Sequence, residues 1–165
     1  MPVTKMTPGV VVIDDGTREI KIENKFGEEI CTVHIRAGDY SILDRYQTVM
    51  QDMPNILKPL QEAGIKADGT GELEKDWAII KQVEKALLDR LAELFDTDDV
   101  KLIFKKRNPF SAVGGQFFAM IVLDGLGAEM ARVVEEESKL SEKRMSKYLK
   151  DAGGDVNGRK SAKGA

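Results

Sequence analysis

The chain contains one cysteine and one histidine in 165 residues. A lone thiol cannot close an internal disulfide, so Cys31 gives no sign of an oxidising compartment. Cys31 and His34 have the spacing of half a zinc site, but a tetrahedral cage needs a second pair of ligands, and no other Cys or His exists to supply it. No metal is expected. Long apolar runs are missing too. The longest, Phe117 to Leu123, has seven residues, far short of the roughly 18 that span a bilayer, so no membrane insertion is expected. Met1 to Thr7 has no apolar run of the kind a secretory leader carries, and the cytoplasm is the expected compartment. Aromatic residues are only 6 % of the chain, and none follows Tyr148.

Charge is plentiful. Asp, Glu, Lys and Arg make up 32 % of the residues against 42 % apolar, more charge than the usual ~25 % but enough apolar content for a globular chain. At this length folding buries about 70 % of the unfolded surface, so a sizeable core is expected. The net charge of −3 is unevenly spread: Lys139 to Ala165 carries eight Lys or Arg against three Asp or Glu, a net of +5, which leaves −8 for the rest. A basic end can neutralise phosphates. Without aromatic side chains among those charges to stack on bases, a solvated helix end and solubilising tail is the favoured reading.

Val10 to Ile13, Arg18 to Glu23 and Ile30 to Ile35 are rich in Val and Ile, and Ile20, Ile22, then Ile30, Thr32 or Val33, and Ile35 alternate as half-buried strands do. Asp15-Gly16 and Asn24 to Gly27 supply turn residues between them. A small antiparallel sheet is expected there, leaning on helices for stability. A first helix opens after Asp39 or Ser41, with an apolar stripe through Leu43, Met50, Leu57 and Leu60 and a kink or break expected at Pro54. Ala63 to Gly71 reads as a linker. Glu72 to Phe95 carries the strongest helical stripe: Leu73, Trp77, Ile80, Val83, Leu87, Leu91 and Leu94. A short helix through Val100, Ile103 and Phe104 follows a cap at Asp96 or Thr97 and ends at Asn108-Pro109.

Phe110 to Leu126 has apolar residues at helical spacing, which predicts a buried helix despite Gly114-Gly115, with Asp124 to Gly127 as a candidate interruption. Ala128 to Lys150 predicts a charged final helix, acidic first and basic last, as the helix dipole favours. Residues 152–165 have almost nothing to bury and are expected to be a disordered basic tail. Together these elements predict an α+β chain, predominantly helical with four to five helices. It would form one domain over residues 1–151, with a β segment at 10–35 and a helical part at 39–150.

No set of side chains makes a catalytic site. On a strand, residues three apart point to opposite faces, which separates Cys31 from His34 as a nucleophile and base. Asp68-Gly69-Thr70-Gly71 lacks the Lys-Ser/Thr of a phosphate loop and the spaced carboxylates of a calcium loop. The carboxylates at Asp96, Asp98 and Asp99, and at Glu135 to Glu137, read as caps and solvated faces. Neither cofactor nor enzymatic activity is expected. Met50, Met53, Met120, Met130 and Met145 supply adaptable apolar surface. Phe110, Phe117, Phe118, Met120, Met130, Met145 and Tyr148 are the candidate partner-binding residues, each with core packing as its alternative.

The order of elements resembles the small tail assembly chaperones of long-tailed bacteriophages, especially those of Gram-positive hosts. The elements that carry it are the β segment Arg18 to Ile35, the Tyr40 to Tyr46 helix and the amphipathic helix ending Leu87 to Phe95. The segment Asp99 to Phe104, Asn108-Pro109-Phe110 and the charged final helix with its basic tail complete it. The resemblance covers roughly Arg18 to Asp151 and brings no catalytic residues. It implies a helper in the host cytoplasm that coats the long helical tape measure protein, keeps it soluble and gathers tail tube protein around it. A homo-oligomer is compatible with that role. Two other roles compete: a structural virion protein whose N-terminal strands add to a neighbour's sheet, and a nucleic-acid-binding regulator using Lys143, Arg144, Lys147, Lys150, Arg159 and Lys160.

Overall fold

A computed structural model describes residues 6–65 and 73–163, with the side chains of 73–75 and 152–163 left aside. Among the described residues the order is β1 (Arg18–Glu23), β2 (Glu29–Ile35), α1 (Tyr40–Glu62), α2 (Leu73–Phe95), a 3₁₀ helix (Asp98–Phe104), β3 (Ala112–Val113), β4 (Gln116–Phe117) and α3 (Phe118–Lys163). The chain is α+β and mostly helical, with a small antiparallel sheet near its N-terminus.

Strands β1 and β2 pair antiparallel, with Ile20 opposite Val33 and Ile22 opposite Cys31. Alternation places Ile20, Ile22, Cys31, Val33 and Ile35 on one face, and Val33 and Ile35 are fully buried there. The turn is built by Asn24, whose Oδ1 accepts from the backbone N–H groups of Phe26 (2.9 Å) and Glu28 (3.1 Å). Gly27 closes it at φ +79°, a conformation that costs a residue without Cβ nothing. The third strand expected at Val10 to Ile13 is absent: these four residues lie outside any strand, 75–90 % exposed. Apolar β-propensity without a partner strand gains neither ladder hydrogen bonds nor burial.

Helix α1 starts as the sequence predicts, with Asp39 at the N-cap accepting from the Ser41 N–H at 2.9 Å. It does not break at Pro54. Both Pro54 and Pro59 lie on its exposed side, where the lost backbone bonds face water and not the core. Its C-terminus closes in a Schellman arrangement, with Ile65 N–H on the Leu60 carbonyl (2.9 Å), Gly64 at φ +77° and Ile65 buried. The linker predicted to follow falls largely outside the described residues. Helix α2 runs antiparallel to α1, since Arg45 Nε donates to the Leu94 carbonyl (3.1 Å) while Arg90 pairs with Asp52 (3.0 Å). Ile80, Val83, Leu87, Leu91 and Leu94 are buried, but Trp77 is 48 % exposed and not part of the packed stripe.

The segment predicted as a buried helix from Phe110 is instead a two-residue hairpin followed by α3. Gly114 (φ +58°) and Gly115 (φ +79°) both take left-handed angles between β3 and β4, the backbone that primed hairpin turns demand. Helix α3 then runs without interruption through Asp124 to Gly127. Its bounds are Phe118–Lys163, and the side chains of its last residues, where the sequence places the basic tail, are left aside. The core joins β2, α1, α2, the 3₁₀ helix and the first half of α3, with Leu87, Leu91, Leu123 and Met130 fully buried.

Candidate partner-binding surfaces

Helix α3 has two regimes. From Phe118 to Val133 it buries Ala119, Leu123, Leu126, Met130 and Val133, a spacing of alternating four and three that keeps one stripe on the body. The contact with α1 is close: the Tyr46 hydroxyl donates to the Leu123 carbonyl at 2.9 Å, and a Cβ at Gly127 would land on that hydroxyl. Past Val134 every residue to Asp151 is exposed. Arg18 marks the boundary, with Nη2 2.8 Å from Glu137 and Nη1 3.3 Å from Glu136, tying β1 to the point where α3 leaves the body.

The exposed part of α3 carries Leu140 (49 % exposed), Met145 (56 %), Tyr148 (72 %) and Leu149 (66 %) among charges. Ion pairs one turn apart support the helix locally: Arg132 with Glu129 and Glu136, and Lys139 with Glu135. Hydrogen bonds from Arg132 hold the Glu129 carboxyl below its ordinary value. The acidic cluster at Glu135 to Glu137 thus serves ion pairs with Arg18, Arg132 and Lys139, as a solvated helix face does.

The candidate partner-binding residues do not come together. Phe110, Phe118 and Met130 lie in the core, Phe117 and Met120 are half-buried at its edge, and Met145 and Tyr148 alone stand free on α3. The aromatic ones pack edge to face, Phe104 on Phe118 (centroids 5.7 Å) and Phe110 on Phe117 (5.5 Å), a favourable aromatic geometry. Leu140 and Leu149 belong with the free pair, and their mixed spacing among charges hid them in the sequence.

A second surface is a groove of about 880 Å³ between β1 and α3. Ile20 and Ile22 form one wall, and Phe118, Ile121 and Leu126 form the other. Phe26, 76 % exposed, stands at one end with Lys25 Nζ 5.1 Å above its ring.

The chemically suggestive residues have structural work. His34 Nδ1 and its backbone N–H both meet Asp99 Oδ2 at 3.1 Å, which fastens β2 to the 3₁₀ helix. Arg36 pairs with Asp96 at 2.6 Å, and Asp96 holds φ +53° at the turn out of α2, a left-handed angle that Asp tolerates. Thr97, not Asp96, caps the 3₁₀ helix through Asp99 N–H. Burial, with Glu29 and Asp99 nearby, raises the Cys31 thiol above its ordinary value, the opposite of what activates a nucleophile. Among the described residues no cluster of three or more metal-ligating side chains occurs, and no helix is long and apolar enough to cross a membrane. Comparisons of the chain with protein-family models, curated proteins and solved structures find no match.

Proposed function

We propose that the protein is a non-enzymatic assembly chaperone of long-tailed bacteriophages, one that binds and solubilises the tape measure protein and brings tail tube subunits to it. The observation that carries this proposal is the exposed part of α3: a helix that leaves its own core and presents Leu140, Met145, Tyr148 and Leu149 between charges. A long helical partner offers repeated apolar stripes and no single deep pocket. A helix with scattered apolar contacts can pair with such stripes while its charges keep the complex in solution. The order of elements in the sequence supports the same role.

The test is co-expression with a candidate tape measure protein, reading its solubility and co-purification. The long protein is expected to become soluble only with this chain, and Met145→Asp with Tyr148→Asp, at exposed positions, is expected to abolish the effect while leaving the fold intact. A tape measure protein that stays insoluble, or is rescued equally by the double variant, would overturn the proposal. Stable rings formed by the isolated chain would favour a structural virion protein instead.

A further inference from the structure

Strand β1 has β2 on one edge, and among the described residues no strand lies on the other. An uncovered edge presents a row of backbone N–H and C=O groups ready to pair with another extended segment. Beside this edge lies the β1–α3 groove, whose walls are the inward-facing Ile20 and Ile22 of the strand and Phe118, Ile121 and Leu126 of the helix. A strand laid along β1 would continue the pleat, so every second side chain would point into that groove.

The same chain carries a segment suited to the place. Val10, Val11, Val12 and Ile13 are four consecutive β-branched residues, uncharged and 75–90 % exposed, which combine high strand propensity with apolar area left in water. The segment does not lie on its own edge. Asp14 Oδ1 accepts from Gly16 N–H and Asp15 Oδ1 from Thr17 N–H, each at 2.9 Å, with Gly16 at φ +81°. The arm launched by this double turn leaves all of residues 6–17 exposed.

We propose that residues 10–13 of one copy add as a strand to the free edge of β1 in a second copy, with alternate aliphatic side chains filling the β1–α3 groove. Arm and groove are different patches of one surface, so copies can join head to tail or exchange arms in a closed pair. Four residues cover much less than the ~1,600 Å² of a standard interface, so association is weak and concentration-dependent. The arm and the exposed part of α3 share no residue, so this proposal and the tape measure reading are tested with different variants.

Sedimentation velocity of the full chain across a concentration series tests it. Wild type is expected to rise above the 18.3 kDa of a single chain. A variant with Val11→Asp and Val12→Asp, and a separate Ile121→Arg variant at a position 38 % exposed, are each expected to stay at monomer mass with unchanged circular dichroism. Mixing them is expected to give a dimer that grows no further, since one retains a working groove and the other a working arm. A wild type that stays monomeric at every concentration would overturn the proposal, as it would if the arm closed on its own β1. Variants that associate as wild type does, or a mixture that stays monomeric, would overturn it equally.

Discussion

Tyr46 and Gly127 occupy one space between α1 and α3: the glycine has no side chain because the tyrosine ring and hydroxyl stand where its Cβ would be. The ring is held by the hydrogen bond from its hydroxyl to the Leu123 carbonyl, so swinging aside breaks that bond.

Gly127→Ala is therefore expected to destabilise the chain by about 1–3 kcal/mol, an overpacking cost that outweighs the roughly 1 kcal/mol that Ala gains over Gly in a helix. Gly125→Ala, two residues earlier in open space, is expected to stabilise by up to ~1 kcal/mol. Urea denaturation of both variants measures the contrast. Equal effects would show that Tyr46 yields freely.

Asp39 caps α1, and hydrogen bonds from the Ser41 side chain and backbone hold its carboxyl below the ordinary value near 3.8. A lowered folded pKa contributes stability that is present above the unfolded value and lost as pH falls through the folded one. Asp39→Ala is expected to cost about 1 kcal/mol near neutrality. Asp39→Asn keeps a capping oxygen but cannot titrate, so its loss relative to wild type is expected to shrink below pH ~4. Thermal melts at neutral and acid pH check both.

Arg18 touches Glu136 and Glu137 from a half-exposed position. Surface pairs of this kind contribute less than ~1 kcal/mol, so Arg18→Gln is expected to leave the melting temperature almost unmoved. Amide exchange from Glu137 onward is nevertheless expected to quicken, because the variant removes a tie at the point where α3 loses its packing. Hydrogen-exchange mass spectrometry reads this directly; unchanged exchange would mean that Val133 and Val134 alone hold the junction.

Burial raises the Cys31 thiol, so its alkylation rate is expected to climb at higher pH than that of a free thiol such as glutathione. His34 is held by Asp99, and His34→Ala is expected to leave the alkylation profile unchanged. A midpoint at or below the free-thiol value would point to an activated cysteine.

Much of this fold was legible where local chemistry decides it. The β1–β2 hairpin followed from Ile alternation around an Asn-Lys-Phe-Gly turn, and the start of α1 from Asp39. The stripe of α2 followed from Leu spacing, although Trp77 keeps the period and still faces water. The hairpin at Gly114-Gly115 was misread because Phe110, Phe117 and Phe118 match helical spacing, while the glycine pair is the stronger local signal. Uninterrupted passage of α3 through Gly125 and Gly127 could not be read locally, since the glycine at 127 answers to Tyr46 on another helix. Of the candidate partner-binding residues, Phe110, Phe118 and Met130 show why apolar type alone does not separate core from surface: only the neighbours brought by the fold decide it.

The departure of α3 from the body also divides the chain by what each part must satisfy. Residues that close the core answer to many neighbours at once, and a change such as Leu123→Ala would cost about 2–5 kcal/mol. From Ser138 to Asp151 the helix answers to itself and to water, where most substitutions cost within ~0.5 kcal/mol. Mutations can therefore accumulate along this stretch without threatening the fold, so the surface it presents to solvent can change while the scaffold that carries it stays the same.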